Sequence, residues 1–187
     1  AHHYKARPPR LSAQRSMDGL VTIEPMAQEF GWKAHGENIA ENLNAGFKIY
    51  YTTDGSQPDT ASLIYTEPLI IREDTKLKAV IVTTEDTSSV FEEHIHVNKA
   101  TFKPSWLANA PHENYTFNGV STLTDGLHGN QNYNTGRWLG FLKDMDLTID
   151  LQKSTPVSSV SLTVNVSKGA AVMAVSYTHL RAHETTL

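Results

Sequence analysis

The stretch Phe47-Lys48-Ile49-Tyr50-Tyr51-Thr52-Thr53, followed at once by Asp54-Gly55, decides the fold class. Phe47, Ile49 and Tyr51 recur at every second position. Side chains two apart on an extended chain share a face, so the run predicts a half-buried β-strand. Asp-Gly is the strongest short-range hairpin signal, because a type I′ turn needs positive φ at both of its central residues. The expectation is a strand that runs straight into a tight hairpin.

Similar short runs lie on either side of further turn signals, at residues 62–65, 68–71, 76–82 and 90–97. In Lys76-Leu77-Lys78-Ala79-Val80-Ile81-Val82 the lysines mark a solvated face, and Leu77, Ala79 and Ile81 mark a buried one. Several short strands at close spacing predict an all-β sandwich rather than a parallel sheet. Residues 34–43 read as a short helix or an ordered loop. Residues 1–19, with Pro8-Pro9, read as a linker arriving from an upstream domain, residues 20–98 as the sandwich, and residues 99–111, with Pro104 and Pro111, as a second linker. Beyond it the composition shifts to Asn, Gly and Thr as far as Phe141. Two alternating runs follow, at 147–151 and 160–166. Residues 112–173 therefore form a second β-rich region, with the boundary near residue 105.

Bulk composition excludes several classes. The 187 residues suit one large domain or two small ones, and 39% hydrophobic content with a mean hydropathy of −0.37 is ordinary for a globular protein. No apolar run approaches the roughly 20 residues of a membrane-spanning helix. A net charge of −4 shows no basic excess, so nucleic acid is not an expected partner. With no cysteine there are no disulfides, thiolate metal sites or cysteine nucleophiles. Residues 1–19 carry no secretion signal, so the signal of an exported parent is expected upstream. The run Val175-Ser176-Tyr177-Thr178-His179-Leu180-Arg181-Ala182-His183-Glu184-Thr185 resembles a translated transposase sequencing adapter. Residues 174–187 are accordingly expected to be an artefactual tail without fold information.

The segment Ile49-Tyr50-Tyr51-Thr52-Thr53-Asp54-Gly55-Ser56-Gln57-Pro58, with Tyr65-Thr66-Glu67-Pro68-Leu69 and Thr75-Lys76-Leu77-Lys78-Ala79, resembles the chitobiase/β-hexosaminidase C-terminal type module. The resemblance covers about residues 47–97 and implies an immunoglobulin-like sandwich appended to a bacterial glycoside hydrolase. Leu123-Thr124-Asp125-Gly126, Trp138-Leu139-Gly140-Phe141 and Leu147-Thr148-Ile149-Asp150-Leu151 resemble the start of a factor V/VIII type C (discoidin-like) domain. That resemblance implies a jelly-roll sandwich, incomplete over residues 112–173, many of whose relatives bind terminal sugars. Together the two imply the C-terminal region of a Bacteroidetes glycoside hydrolase. The parent would be family 20 β-N-acetylhexosaminidase-like or family 2 β-galactosidase-like. A jelly roll builds its core from strands distant in sequence. With the run at 160–166 as its last strand, the second region is expected to leave apolar strand edges open.

The candidate sites each have two readings. Asp125 and Asn130, with Gly126, Asn132 and Asn134 nearby, offer hard oxygen ligands, and the discoidin-like resemblance implies a structural Ca²⁺ near this loop. The same residue types also form Asx-turns on their own backbone. Trp138 has the broad apolar face and polar tip of a sugar-stacking residue, with Arg137 beside it as a hydroxyl donor; equally, a tryptophan among strands is often core. Asp144, Asp146 and Asp150 read as a solvated edge rather than the two carboxyls, about 5 to 9.5 Å apart, that glycoside hydrolysis needs. In Glu93-His94-Ile95-His96 the i, i+2 histidines share a strand face and have a spacing that chelates Zn²⁺. No third ligand is evident in the sequence, so the expectation is a plain polar face.

The leading functional expectation is a non-catalytic accessory region of a glycoside hydrolase: a spacer followed by a carbohydrate-binding domain. It would serve a catalytic domain upstream in the same chain and bind a glycan ligand. It would lie at the extracellular, periplasmic or outer-membrane surface of a Gram-negative bacterium. The alternative is a structural or adhesive sandwich without sugar affinity. A free-standing enzyme is disfavoured, since no nucleophile elbow or phosphate loop occurs.

Overall fold

The computed structural model describes residues 6–12, 19–25, 46–84, 86–132 and 137–166. Its strands run β1 (Pro9–Leu11), β2 (Leu20–Val21), β3 (Ile23–Pro25), β4 (Phe47–Thr52), β5 (Leu63–Ile64), β6 (Leu69–Ile70), β7 (Thr75–Thr83), β8 (Phe91–Ile95), β9 (Ser105–Leu107) and β10 (Leu147–Ile149). Short 3-10 turns span Glu113–Tyr115 and Gly119–Leu123. The architecture is an all-β sandwich. A four-stranded antiparallel sheet in the order β5-β4-β7-β8 is joined by three two-stranded ribbons, β1-β3, β2-β6 and β9-β10.

The central strand is β7. Its alternation buries Leu77, Ala79 and Ile81, and register sets Ile81 opposite Ile49 and Ala79 opposite Tyr51. Directly opposed residues of antiparallel strands share a face, so β4 and β7 build one apolar surface. The β1-β3 and β2-β6 ribbons bring Leu11, Val21 and Ile23 onto it, with Tyr65, Ile71 and Ile95 completing the core. Each large side chain buried in this way is worth about 1.5–3 kcal/mol. Val80 and Tyr50, registered opposite each other on the other face of the sheet, are buried too.

One polar link ties a ribbon to the sheet, and one close approach fixes the start of another ribbon. The fully buried Tyr65 donates its amide to the Ile49 carbonyl at 2.8 Å, and its hydroxyl accepts the Ile23 amide at 3.0 Å. At Gly19 (φ +77°) a Cβ would stand 2.6 Å from the Ile71 carbonyl oxygen, so only glycine lets the chain enter β2 so close to the end of β6.

Four expectations need correction. First, the stretch read as a linker contains β1, which pairs with β3 and contributes Leu11 to the core. A three-residue strand has too few positions to reveal a period, and Pro9 is tolerated as its first residue, where no ladder donor is needed. Second, Asp54-Gly55 is not a two-residue hairpin. Only Gly55 has positive φ, the Asp54 carboxylate accepts the Ser56 amide (2.9 Å) and hydroxyl (2.6 Å), and β5 pairs with β4 only after residues 53–62. The Asx-turn outcompetes the type I′ turn because the side chain supplies its own acceptor. Third, the second linker holds β9, which pairs with β10 from Ser105↔Ile149 to Leu107↔Leu147. Fourth, residues 160–166 are not a strand: Val160, Leu162, Val164 and Val166 are all exposed. Alternation assigns faces, but a strand also needs a partner ladder, and no described element pairs with this run. The helix-or-loop at 34–43, Asn134 and the tail at 174–187 lie outside the described residues.

Candidate functional site

The loop after the second 3-10 turn docks backbone to backbone on the end of β8. The Phe102 amide donates to the Thr124 carbonyl at 2.7 Å and the His96 amide to the Gly126 carbonyl at 2.8 Å. Gly126 has φ +77°, and a Cβ there would lie 2.5 Å from the His96 carbonyl oxygen, so this approach admits glycine alone. Leu127 then packs against the sandwich core. From residue 105 onward the buried residues described are Thr122, Thr124 and Asp125, all polar, so this loop borrows its apolar support from the sandwich.

Arg137 is drawn to the same place by Glu93. Register sets Glu93 opposite the buried Leu77, on the core face of β8, where a carboxylate requires a counter-charge. Arg137 Nη2 supplies it at 2.5 Å from Glu93 Oε2, with the two side chains 29% and 14% exposed, and Nη1 reaches the His128 carbonyl at 3.4 Å. The hydrogen bond that Arg137 donates to Glu93, then the charges of Glu93 and Asp125, hold the guanidinium pKa above its ordinary value against the effect of burial. The half-buried Trp138 donates its indole N–H to the Asn130 carbonyl at 2.9 Å and sits so close to Gly129 that a Cβ there would meet its ring at 2.4 Å. Arg137 and Trp138 thus each spend a polar group on holding this loop.

The oxygen donors in the loop face their own backbone. Asp125 Oδ1 accepts the Leu127 amide and Asn130 Oδ1 the Asn132 amide, both at 2.9 Å. These are Asx-turns, and the positive charge acting with Asp125 is the Arg137 guanidinium. The two oxygens described are thus engaged in local Asx-turns rather than converging with one another on a common point. Asp144, Asp146 and Asp150 are exposed, and Asp150 accepts the Gln152 amide at 2.7 Å.

The histidines have company that the sequence did not reveal. His94 and His96 lie with ring centroids 3.8 Å apart, and Asp74, one register step beyond the Thr75↔Ile95 pair, places its carboxylate beside both. His128, on the docked loop, meets His96 edge-on with centroids 4.7 Å apart. Asp74 is twenty positions before His94 in the chain, so only the β7–β8 register could have signalled it. Trp106 was also missed: it sits on β9 opposite Thr148 and is 53% exposed.

A family model described as "Fn3 associated" matches residues 39–95, the span that contains β4 to β8. The match points to a fibronectin-III-associated, immunoglobulin-like module and is compatible with an accessory module of a larger protein. No curated protein matches the chain. Among the described residues no helix is long and apolar enough to cross a membrane.

Proposed function

We propose that the chain is a non-catalytic accessory region of a glycoside hydrolase, with the sandwich as spacer and the region after residue 105 as its sugar-contacting part. The single observation that carries this reading is the Fn3-associated match over the sandwich. The catalytic domain would lie upstream in the same protein, at the extracellular, periplasmic or outer-membrane surface of a Gram-negative bacterium. A tethered module of this kind acts by raising the local concentration of substrate near the catalytic site. Trp106 supports the sugar contact, because an open indole face on a short ribbon is the kind of surface on which a pyranose ring stacks. Trp138 and Arg137 contribute at the neighbouring loop, through the ring face and the guanidinium edge not used for Asn130 and Glu93.

The test is a glycan array with the purified chain, run beside aryl-glycoside hydrolysis. Retention of galactosides or N-acetylhexosaminides, lost in Trp106→Ala, with no hydrolysis, is expected. Hydrolysis by the purified chain overturns the reading. A second reading, a structural or adhesive sandwich without sugar affinity, is favoured by the commitment of Arg137 and Trp138 to protein contacts. A silent array decides for it.

A further inference from the structure

We propose that Asp74, His94 and His96 form a binding site for a borderline divalent transition-metal ion, best suited to Zn²⁺. One ligand atom from each of the three lies within 4.8 Å of the others. The site is set by the sheet: β7 and β8 are paired as far as Thr75↔Ile95, and Asp74 and His96 are the next positions along the ladder. His94 on β8 and His96 just past its end, two apart in the chain, share a face, with ring centroids 3.8 Å apart.

The carboxylate is oriented for the task. Asp74 Oδ1 accepts the Val97 amide at 2.7 Å, and this leaves Oδ2 facing the imidazoles, 3.7 Å from His96 Nδ1 and 4.0 Å from His94 Nε2. Zinc holds nitrogen and carboxylate donors at about 2.0–2.2 Å in a tetrahedron, which requires donor–donor separations of about 3.3 Å. With the three ligand atoms spread over no more than 4.8 Å, closing the gaps takes up to about 1.5 Å of side-chain movement, on groups more than a third exposed. A backbone amide on the distal carboxylate oxygen is the kind of outer contact that fixes a ligand in place.

Neighbouring charge is of both signs. Lys76 is registered opposite His94, but its stem runs across Gly55 on the β4 side, where a Cβ would meet Lys76 Cβ at 3.2 Å and Cδ at 3.3 Å. On the other flank Glu92 adds negative charge, partly answered by Lys78 at 3.4 Å. His128 stands edge-on beside His96, with its Nδ1 3.4 Å from Thr163 Oγ1. Two imidazoles and one carboxylate select a borderline ion over calcium, which takes oxygen donors alone. A bound ion would join the end of the β7–β8 hairpin and stand against the docked loop that carries His128.

The full chain, freed of metal by chelator, is titrated with zinc chloride and followed by calorimetry and by imidazole ¹⁵N shifts. Other histidines of the chain, among them His2 and His3, can take up zinc, so the comparison between variants carries the result. The expected outcome is that Asp74→Asn and His96→Gln each weaken the tightest zinc event by at least about 10–100-fold, the range for losing even an outer contact that only orients a ligand. The control His2→Gln/His3→Gln leaves that event unchanged, and calcium chloride produces no shift. Zinc perturbation of the His94 and His96 ring nitrogens in the unaltered chain provides a readout independent of variant folding. Equal zinc affinity in Asp74→Asn and the unaltered chain, or unmoved His94 and His96 resonances at millimolar zinc, overturns the proposal.

Discussion

The Tyr65 hydroxyl accepts the amide of Ile23 inside the core, a link between residues 42 positions apart in the chain. Tyr65→Phe keeps the ring but leaves a buried N–H without that partner, and an orphaned buried donor costs about 1–3 kcal/mol. Chemical denaturation of the variant should show that loss at neutral pH. Burial raises the pKa of the phenol above its ordinary 10.0. The linked stability is therefore complete below about pH 10 and declines as pH rises from there towards the folded value. An alkaline stability profile that is steeper in the unaltered protein than in Tyr65→Phe is the expected signature.

Glu93 and Arg137 should prove coupled. Arg137→Ala strands a mostly buried carboxylate, and loss of a charged hydrogen bond of this kind costs about 1.5–3 kcal/mol. Glu93→Gln should cost less, since a neutral amide at that position needs no counter-charge. A double-mutant cycle over the two sites measures the coupling. The surface pair Arg10–Glu24, with side chains 54% and 33% exposed, should by comparison contribute about 0–1 kcal/mol.

Asp54 should titrate at an acidity greater than that of an ordinary aspartate. The Ser56 hydroxyl, then the Ser56 amide, stabilise its ionised form and lower its pKa below 3.8. The turn it holds is then intact above that value and weakens only as pH falls through the lower folded value. Carboxyl NMR of the unaltered chain checks the shift. In Ser56→Ala the Asp54 signal should move back towards 3.8, because the larger of the two contacts is gone.

Leu162 and Val164 are exposed apolar residues on a run that pairs with no strand among the described residues. Such runs drive chain association. Light scattering should show association that grows with concentration and falls in Leu162→Lys/Val164→Lys, with unfolding of the sandwich unaffected because neither residue belongs to its core.

What was legible in the sequence was whatever alternates over enough positions. The runs around β4 and β7 were readable because Phe47-x-Ile49-x-Tyr51 and Leu77-x-Ala79-x-Ile81 set apolar residues at period two, and Ile49, Leu77, Ala79 and Ile81 are buried. β1 and β9 were hidden, each three residues long and close to a proline. The run at 160–166 was over-read for the converse reason: its period is clean, but pairing is not a local property. The candidate site shows the same division. His94 and His96 declare themselves by spacing, whereas Asp74 and Glu93 acquire their roles only from register, which one strand alone does not encode. Arg137 was noticed, but its partner could not be named from a site forty-four positions earlier.

Because β1 supplies Leu11 to the same core as β4 and β7, the natural cut points of this chain are not those suggested by the matched family region. A fragment trimmed to residues 39–95 would lose Leu11, Val21 and Ile23 together, and with them the amide that Tyr65 receives. Anyone grafting this sandwich onto another protein must carry the leading segment from before Pro9, so the usable cassette is longer than its signature.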